Sequence, residues 1–253
     1  MRGDAGRAVS DSSRSVAHVA VLVALALERA CLDEVDGDRG LIVYQSGPGP
    51  DRARATASQA LARGAVALVS WGLAGGLVPA VAPGDVVIPE RVVSDRGIWL
   101  TDSRWLGALH AALAARFTLH SGALASVDRV LESPASKALA ARSMGAVAVD
   151  TESAAIAAVA ADAGVPFAVV RVVADGCDDA LPAHVEQWID AAGERRLAPL
   201  ARAALAPAQW PGLWRLARRS RIATGTLREL ARALGAQRFC RPAGGAAAAD
   251  ATC

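Results

Sequence analysis

The chain has 253 residues, 53% of them apolar, which is enough for one large α/β domain with a sizeable core. Only 21% are charged and the net charge is +2, which excludes the strong basic excess of a nucleic-acid binder. Cys31, Cys177, Cys240 and Cys253 show neither C-x-x-C spacing nor a histidine at ligand distance, so no metal site and no disulfide framework is expected. Lys137 is the only lysine among 27 basic residues.

Arg2, Arg7 and Arg14 precede an apolar run, Val19 to Leu27, in imitation of a signal peptide. Glu28 and Arg29 follow where a cleavage site needs small neutral residues, and the run is far short of the roughly 20 residues that span a bilayer. The run is read as a buried first strand, Val19–Ala26, after a disordered leader at 1–15. The expected compartment is the cytoplasm.

Short apolar runs then alternate with helical stretches, the pattern of a sheet covered by helices. Leu41–Tyr44, Ala65–Ser70, Asp85–Ile88, Ala146–Val149 and Phe167–Val173 read as strands. The last two lack amphipathic alternation, as strands buried on both faces do. Asp51–Arg63, Ser103–Arg116, Ala135–Arg142 and Ser153–Ala163 read as helices, with Gly64 and Gly164 as stops.

Past Leu181 the pattern is helical, ending in a low-complexity tail. The expected fold is a single α/β domain over 16–205, a central mixed sheet flanked by helices. C-terminal helices at 206–241 and a disordered tail at 242–253 follow. Pro211 suits a first helical position, and Thr226-Leu-Arg-Glu229 has capping-box spacing for a second helix. The stretch 206–241 carries eight arginines against Glu229, a charge of +7, while residues 1–205 carry −4. Trp210, Leu213, Trp214 and Ala217 form one apolar stripe, and Leu227, Leu230, Ala231 and Leu234 another. These stripes pack either on the core or a partner subunit, or on an anionic membrane.

In such a sheet, functional groups gather at the carboxyl ends of strands. Polar or glycine-rich residues fall there in four places: Glu28; Ser46-Gly-Pro-Gly-Pro50, which includes Gly49; Ser70-Trp-Gly-Leu-Ala-Gly-Gly76; and Asp150-Thr-Glu-Ser153 with Ala174-Asp175. Each has an ordinary structural reading. Arg52 occupies the third glycine position of a dinucleotide fingerprint, so none exists there. Glu152 suits a helix N-terminus, and Arg171 could be paired and structural.

Together, Val149-Asp-Thr-Glu-Ser-Ala-Ala-Ile156, Gly164-Val-Pro-Phe167 and Arg171-Val-Val-Ala-Asp175 resemble the signature of the nucleoside phosphorylase and nucleosidase superfamily. Trp71-Gly-Leu-Ala-Gly-Gly-Leu77 and Pro83-Gly-Asp-Val-Val-Ile88 resemble two further segments of it, so that the resemblance covers Val19 to Asp179. Ser46–Arg54, the tryptophan before Gly72, Pro89-Glu-Arg-Val-Val93 and Leu181-Pro182 are similar to the hopanoid-associated phosphorylases, which are linked to removal of adenine from adenosylhopane.

The resemblance implies cleavage of a purine N-glycosidic bond with no cofactor, phosphate serving as co-substrate. A small-molecule or lipid-linked nucleoside is the partner, and the chain forms a homo-oligomer, a dimer. Asp175 would protonate the departing base, which requires a raised pKa. Glu152 would hold the ribose hydroxyls, beside Thr151 and Gly49. Backbone amides of a Gly72–Gly76 turn, with Gly75, would line the sugar or anion side. Glu28 matches the acid that activates water in the hydrolytic branch, so hydrolysis of a methylthioadenosine- or adenosylhomocysteine-like nucleoside is the alternative, and a silent nucleoside-binding module a further one. Four departures stand out: Thr151 replaces a methionine, Leu73 a phosphate-contacting serine, Ala24 a glycine, and Ser126–Leu131 lacks the usual base-stacking aromatic.

Overall fold

The computed structural model describes residues 17–33, 36, 40–182, 184–194, 196 and 210–239. The leader at 1–15 and the tail at 242–253 lie outside them. Ten strands form one mixed sheet: β1 His18–Val23, β2 Leu41–Gln45, β3 Ala65–Gly76, β4 Val86–Val87, β5 Arg91–Ser94, β6 Gly97–Leu100, β7 Leu119–His120, β8 Ala123–Ser126, β9 Ala146–Asp150 and β10 Phe167–Asp175. The helices are α1 Ala26–Arg29, α2 Pro50–Ala62, α3 Ser103–Leu113, α4 Pro134–Met144, α5 Ser153–Ala163 and α6 Trp210–Phe239.

The order β6-β5-β8-β9-β3-β10-β4-β7 runs across the sheet, with β1 parallel to β3 and carrying β2 on its other side. β3 and β10 are parallel and central, while β9 meets the end of β3 antiparallel through Gly75 and Gly76. Side-chain alternation along the two central strands separates two cores. Val69, Trp71, Val170 and Val172 face a layer containing α3 and α6; Leu68, Val169 and Val173 face α2 and α5. This is the expected mixed sheet between helices.

Three differences bear on the site. β1 stops at Val23, and the next residues turn once as α1, which tucks Glu28 inside at 3% exposure. β3 runs on to Gly76 instead of ending at Ser70, so the glycine-rich segment is strand and not turn. It continues because Gly72 to Gly75 pair with Arg171 to Asp175 of β10.

The third concerns the C-terminus. Thr226 does not open a second helix; α6 passes through it, and the break comes at Gly235 (φ 53°). Leu227, Leu230, Ala231 and Leu234 are buried in the core with Trp71, and Phe239 packs on that indole at 5.2 Å. Of the earlier stripe, Trp214 and Ala217 are exposed, and the side chains of residues 210 and 213 lie outside the described ones. No described helix is long and apolar enough to cross a membrane.

Candidate active site

A cavity of about 410 Å³ opens at the carboxyl ends of the central strands. It is lined by Glu28, Gly49, Gly75, Thr151, Glu152 and Asp175 among others, so six of the eight residues expected from sequence come together. Gly72 and Gly76 do not line it. Gly72 backs Glu28 and Arg171, and a Cβ at Gly76 would lie 3.0 Å from the Val81 carbonyl, so both are close-packing positions.

Glu28 is held by the backbone. The Ala24 and Leu25 amides donate to Oε2 at 3.0 and 2.9 Å, and the Leu73 amide donates to Oε1 at 2.8 Å. One of the Gly72–Gly76 amides expected to line the sugar or anion side, that of Leu73, is thus committed to a carboxylate. Burial pushes the Glu28 pKa up to about 7, although Arg171 and the amides pull it down.

Glu152 stands just before the first residue of α5, yet Asp150 does the capping there by accepting from the Ser153 amide. That leaves Glu152 Oε1 to accept from the Gly49 amide at 2.9 Å and the Thr151 hydroxyl at 2.6 Å. The hydroxyl that replaces the usual methionine therefore orients the carboxylate. Burial and the nearby Asp150 raise the Glu152 pKa, against the pull of Arg171. Gly49, at φ 103°, turns its N–H toward Glu152 with a backbone conformation that L side chains rarely adopt.

Arg171 is 3% exposed and ties these groups together. It donates from Nε to Asp150 Oδ2 at 2.9 Å and from Nη2 to Ser70 and Ser153 at 2.7 and 3.0 Å. The structural reading of Arg171 is correct as far as pairing goes, and the residue also sets the field around Glu28 and Glu152.

Asp175 ends β10 and is 7% exposed. Burial raises its pKa, while its contact with Lys137 Nζ lowers it. The same Nζ donates to the carbonyls of Gly176 and Asp179 at 2.8 and 3.0 Å. Sequence reasoning missed Lys137 as a site residue; its one visible mark was being the sole lysine in an arginine-rich chain. Among the described residues, no cluster of His, Cys, Asp or Glu is arranged to hold a metal.

A family model described as the phosphorylase superfamily matches residues 34–206. No curated protein matches the chain. Among solved structures it resembles the 5′-methylthioadenosine/S-adenosylhomocysteine nucleosidase of Neisseria meningitidis in complex with methylthio-immucillin-A. That likeness has a TM-score of 0.66 and 19% identity, covering 86% of this chain and 98% of the other. It also resembles the futalosine hydrolase of Helicobacter pylori, with a TM-score of 0.63 and 20% identity, covering 87% and 99%. At these identities the likenesses establish the shared fold.

Proposed function

This chain belongs to the phosphorylase superfamily, and from that premise we propose that it cleaves the N-glycosidic bond of a purine nucleoside, with water as the attacking nucleophile. One observation carries the reading: Glu28, Glu152 and Asp175, each buried and each with a raised pKa, converge on one cavity. Breaking the bond puts positive charge on the sugar and electron density on the base. Glu152 accepts the ribose hydroxyls and stabilises the cationic sugar; Asp175 delivers its proton to the purine. Glu28, poised near neutrality, takes a proton from water as it attacks the anomeric carbon.

The motif resemblance favours phosphate instead, yet the cavity lining argues for water. Glu28, Asp128, Asp150, Glu152, Asp175 and Glu186 line it against Arg129 and Lys137, and Lys137 is engaged by Asp175. A phosphate would meet a cavity whose Leu73 amide is already taken by Glu28 and whose lysine is already engaged. Val127, Val130, Leu131, Leu181, Val185 and Ile189 add an apolar lining. That lining suits a nucleoside with an apolar 5′ substituent, of which adenosylhopane is the extreme case.

The test is incubation of the purified chain with adenosine, methylthioadenosine and adenosylhopane, with and without phosphate, followed by chromatography. Free adenine with the unphosphorylated sugar, ribose from adenosine and its 5-substituted form from the other two, independent of phosphate, is the expected result. The corresponding sugar 1-phosphate, formed only with phosphate, would establish phosphorolysis; no adenine from any nucleoside would overturn the enzymatic reading and leave a binding module.

A further inference from the structure

We infer that Lys137 is a positioning residue for Asp175, receiving the carboxylate that appears when Asp175 passes its proton to the departing base. The inference rests on the acid role proposed for Asp175 and deepens it.

The geometry is specific to an ammonium. Lys137 is 1% exposed, one turn into α4, whose start is fixed by Ser133 accepting from the Ser136 amide. Its Nζ meets three acceptors, Asp175 Oδ2 and the carbonyls of Gly176 and Asp179, which matches the three N–H donors of the group. A guanidinium spreads its donors over a planar fork and does not fit three acceptors around one nitrogen. Every other basic side chain in this protein, histidine aside, is arginine, and the exception lies against the candidate acid.

The clamp is braced from behind. Asp179 Oδ2 accepts from the Gly176 amide at 2.8 Å, closing the loop after β10, and Asp179 Oδ1 pairs with Arg219 of α6 at 2.5 Å. Among the described residues, Asp175 Oδ1 accepts no hydrogen bond, which leaves that oxygen for the base. The charged groups around Asp175 are Lys137, Asp179 and Arg219.

In the step itself, the Asp175 proton moves to the purine ring nitrogen. The C1′–N9 bond breaks with its electron pair going to the base, and Asp175 is left as a carboxylate beside the ammonium, which keeps its own protons. Water supplies the new C1′–O bond and loses its proton to Glu28. A buried carboxylate without a partner would be costly, so the ammonium makes Asp175 the stronger acid.

Wild type, Lys137→Met and Lys137→Arg should be compared on methylthioadenosine from about pH 5 to 9, with thermal melting to confirm folding. Lys137→Met is expected to lose about a hundredfold in kcat with KM changed less than about threefold. Its alkaline limb should move to higher pH, because Asp175 then holds its proton longer. Lys137→Arg should keep the limb near the wild-type pH while losing rate. A folded Lys137→Met protein with normal kcat, or with kcat reduced and the limb unmoved, overturns the inference. A carboxyl ¹³C titration of Asp175, which needs no turnover, should move up in Lys137→Met; an unchanged titration also overturns it. Absence of adenine release by wild type from adenosine, methylthioadenosine and adenosylhopane alike, with that titration still moving, would instead refute the acid role and the enzymatic reading beneath it.

Discussion

Gly72 is what allows Glu28 to sit where it does: a Cβ at position 72 would overlap Glu28 Oε1 and lie 2.6 Å from Arg171 Nη1. Gly72 thus makes room for two buried side chains, one of which, Glu28, lines the cavity, while Gly75 lines the cavity itself. Gly72→Ala should displace one of them, costing about 1–3 kcal/mol as overpacking does, and lower kcat at least about tenfold. Gly107→Ala is the control, since nothing lies within 4 Å of the added carbon in α3. It should stabilise by about 0.5–1 kcal/mol with unchanged kcat. Thermal melting and adenine release check both, and a Gly72→Ala protein as stable and active as wild type would refute the packing role.

The raised pKa of Glu28 gives stability a pH dependence of definite sign. From its ordinary 4.5 to about 7, the folded protein keeps a proton that the unfolded chain gives up, so stability falls as pH rises through that window. The displacement corresponds to about 3 kcal/mol. Glu28→Gln loses an acceptor oxygen, which costs stability at every pH, but it does not titrate. Relative to wild type it should therefore gain about 3 kcal/mol between pH 4 and 8, measured by urea unfolding. Parallel wild-type and mutant curves across that range would place the Glu28 pKa back in the ordinary carboxylate range.

Asp175→Asn should keep the fold and lose at least about a hundredfold in turnover, because an amide has no proton to give the base. Steady-state kinetics on a protein with wild-type melting decides it, and near-normal turnover would remove Asp175 from the acid role.

Glu152→Gln should weaken binding and turnover of ribonucleosides and have little effect on analogues lacking the 2′- and 3′-hydroxyls. An equal loss on both would make Glu152 a structural residue, tied to Gly49 and Thr151 for the fold alone.

The basic end of the chain gives a prediction about membranes. Leu227, Leu230, Leu234 and Phe239 are at most 3% exposed, and their burial contributes roughly 6–12 kcal/mol, comparable with a domain's whole net stability. Truncation before α6 would therefore unfold the chain and cannot serve as the test. Trp214 is 68% exposed, with Arg218 and Arg221 exposed nearby. Full-length protein is expected to float with phosphatidylglycerol vesicles at low salt, and Trp214→Ser combined with Arg218→Glu and Arg221→Glu should abolish that. Wild-type protein left in the soluble fraction would end the membrane reading.

Much of this molecule was written locally. Valine-rich runs specified β10 and β9, Pro50 and Gly64 bracketed α2, and polar residues at the strand ends, Glu152 and Asp175 among them, were marked as working carboxylates by the family resemblance. Short-range chemistry determines such features: backbone preference, side-chain periodicity and the order of polar residues at strand ends. What the sequence could not disclose depends on contacts between distant segments. Lys137 reaches Asp175 across 38 positions, Gly49 reaches Glu152 across 103, and Gly72 matters because Glu28 arrives from α1. The same holds for α6. Its two stripes look alike in sequence, yet the stripe beyond Thr226 is buried over Trp71 and Trp105 while Trp214 faces solvent. Periodicity announces that a helix has an apolar face; only the packed sheet determines which part of that face finds a core to enter.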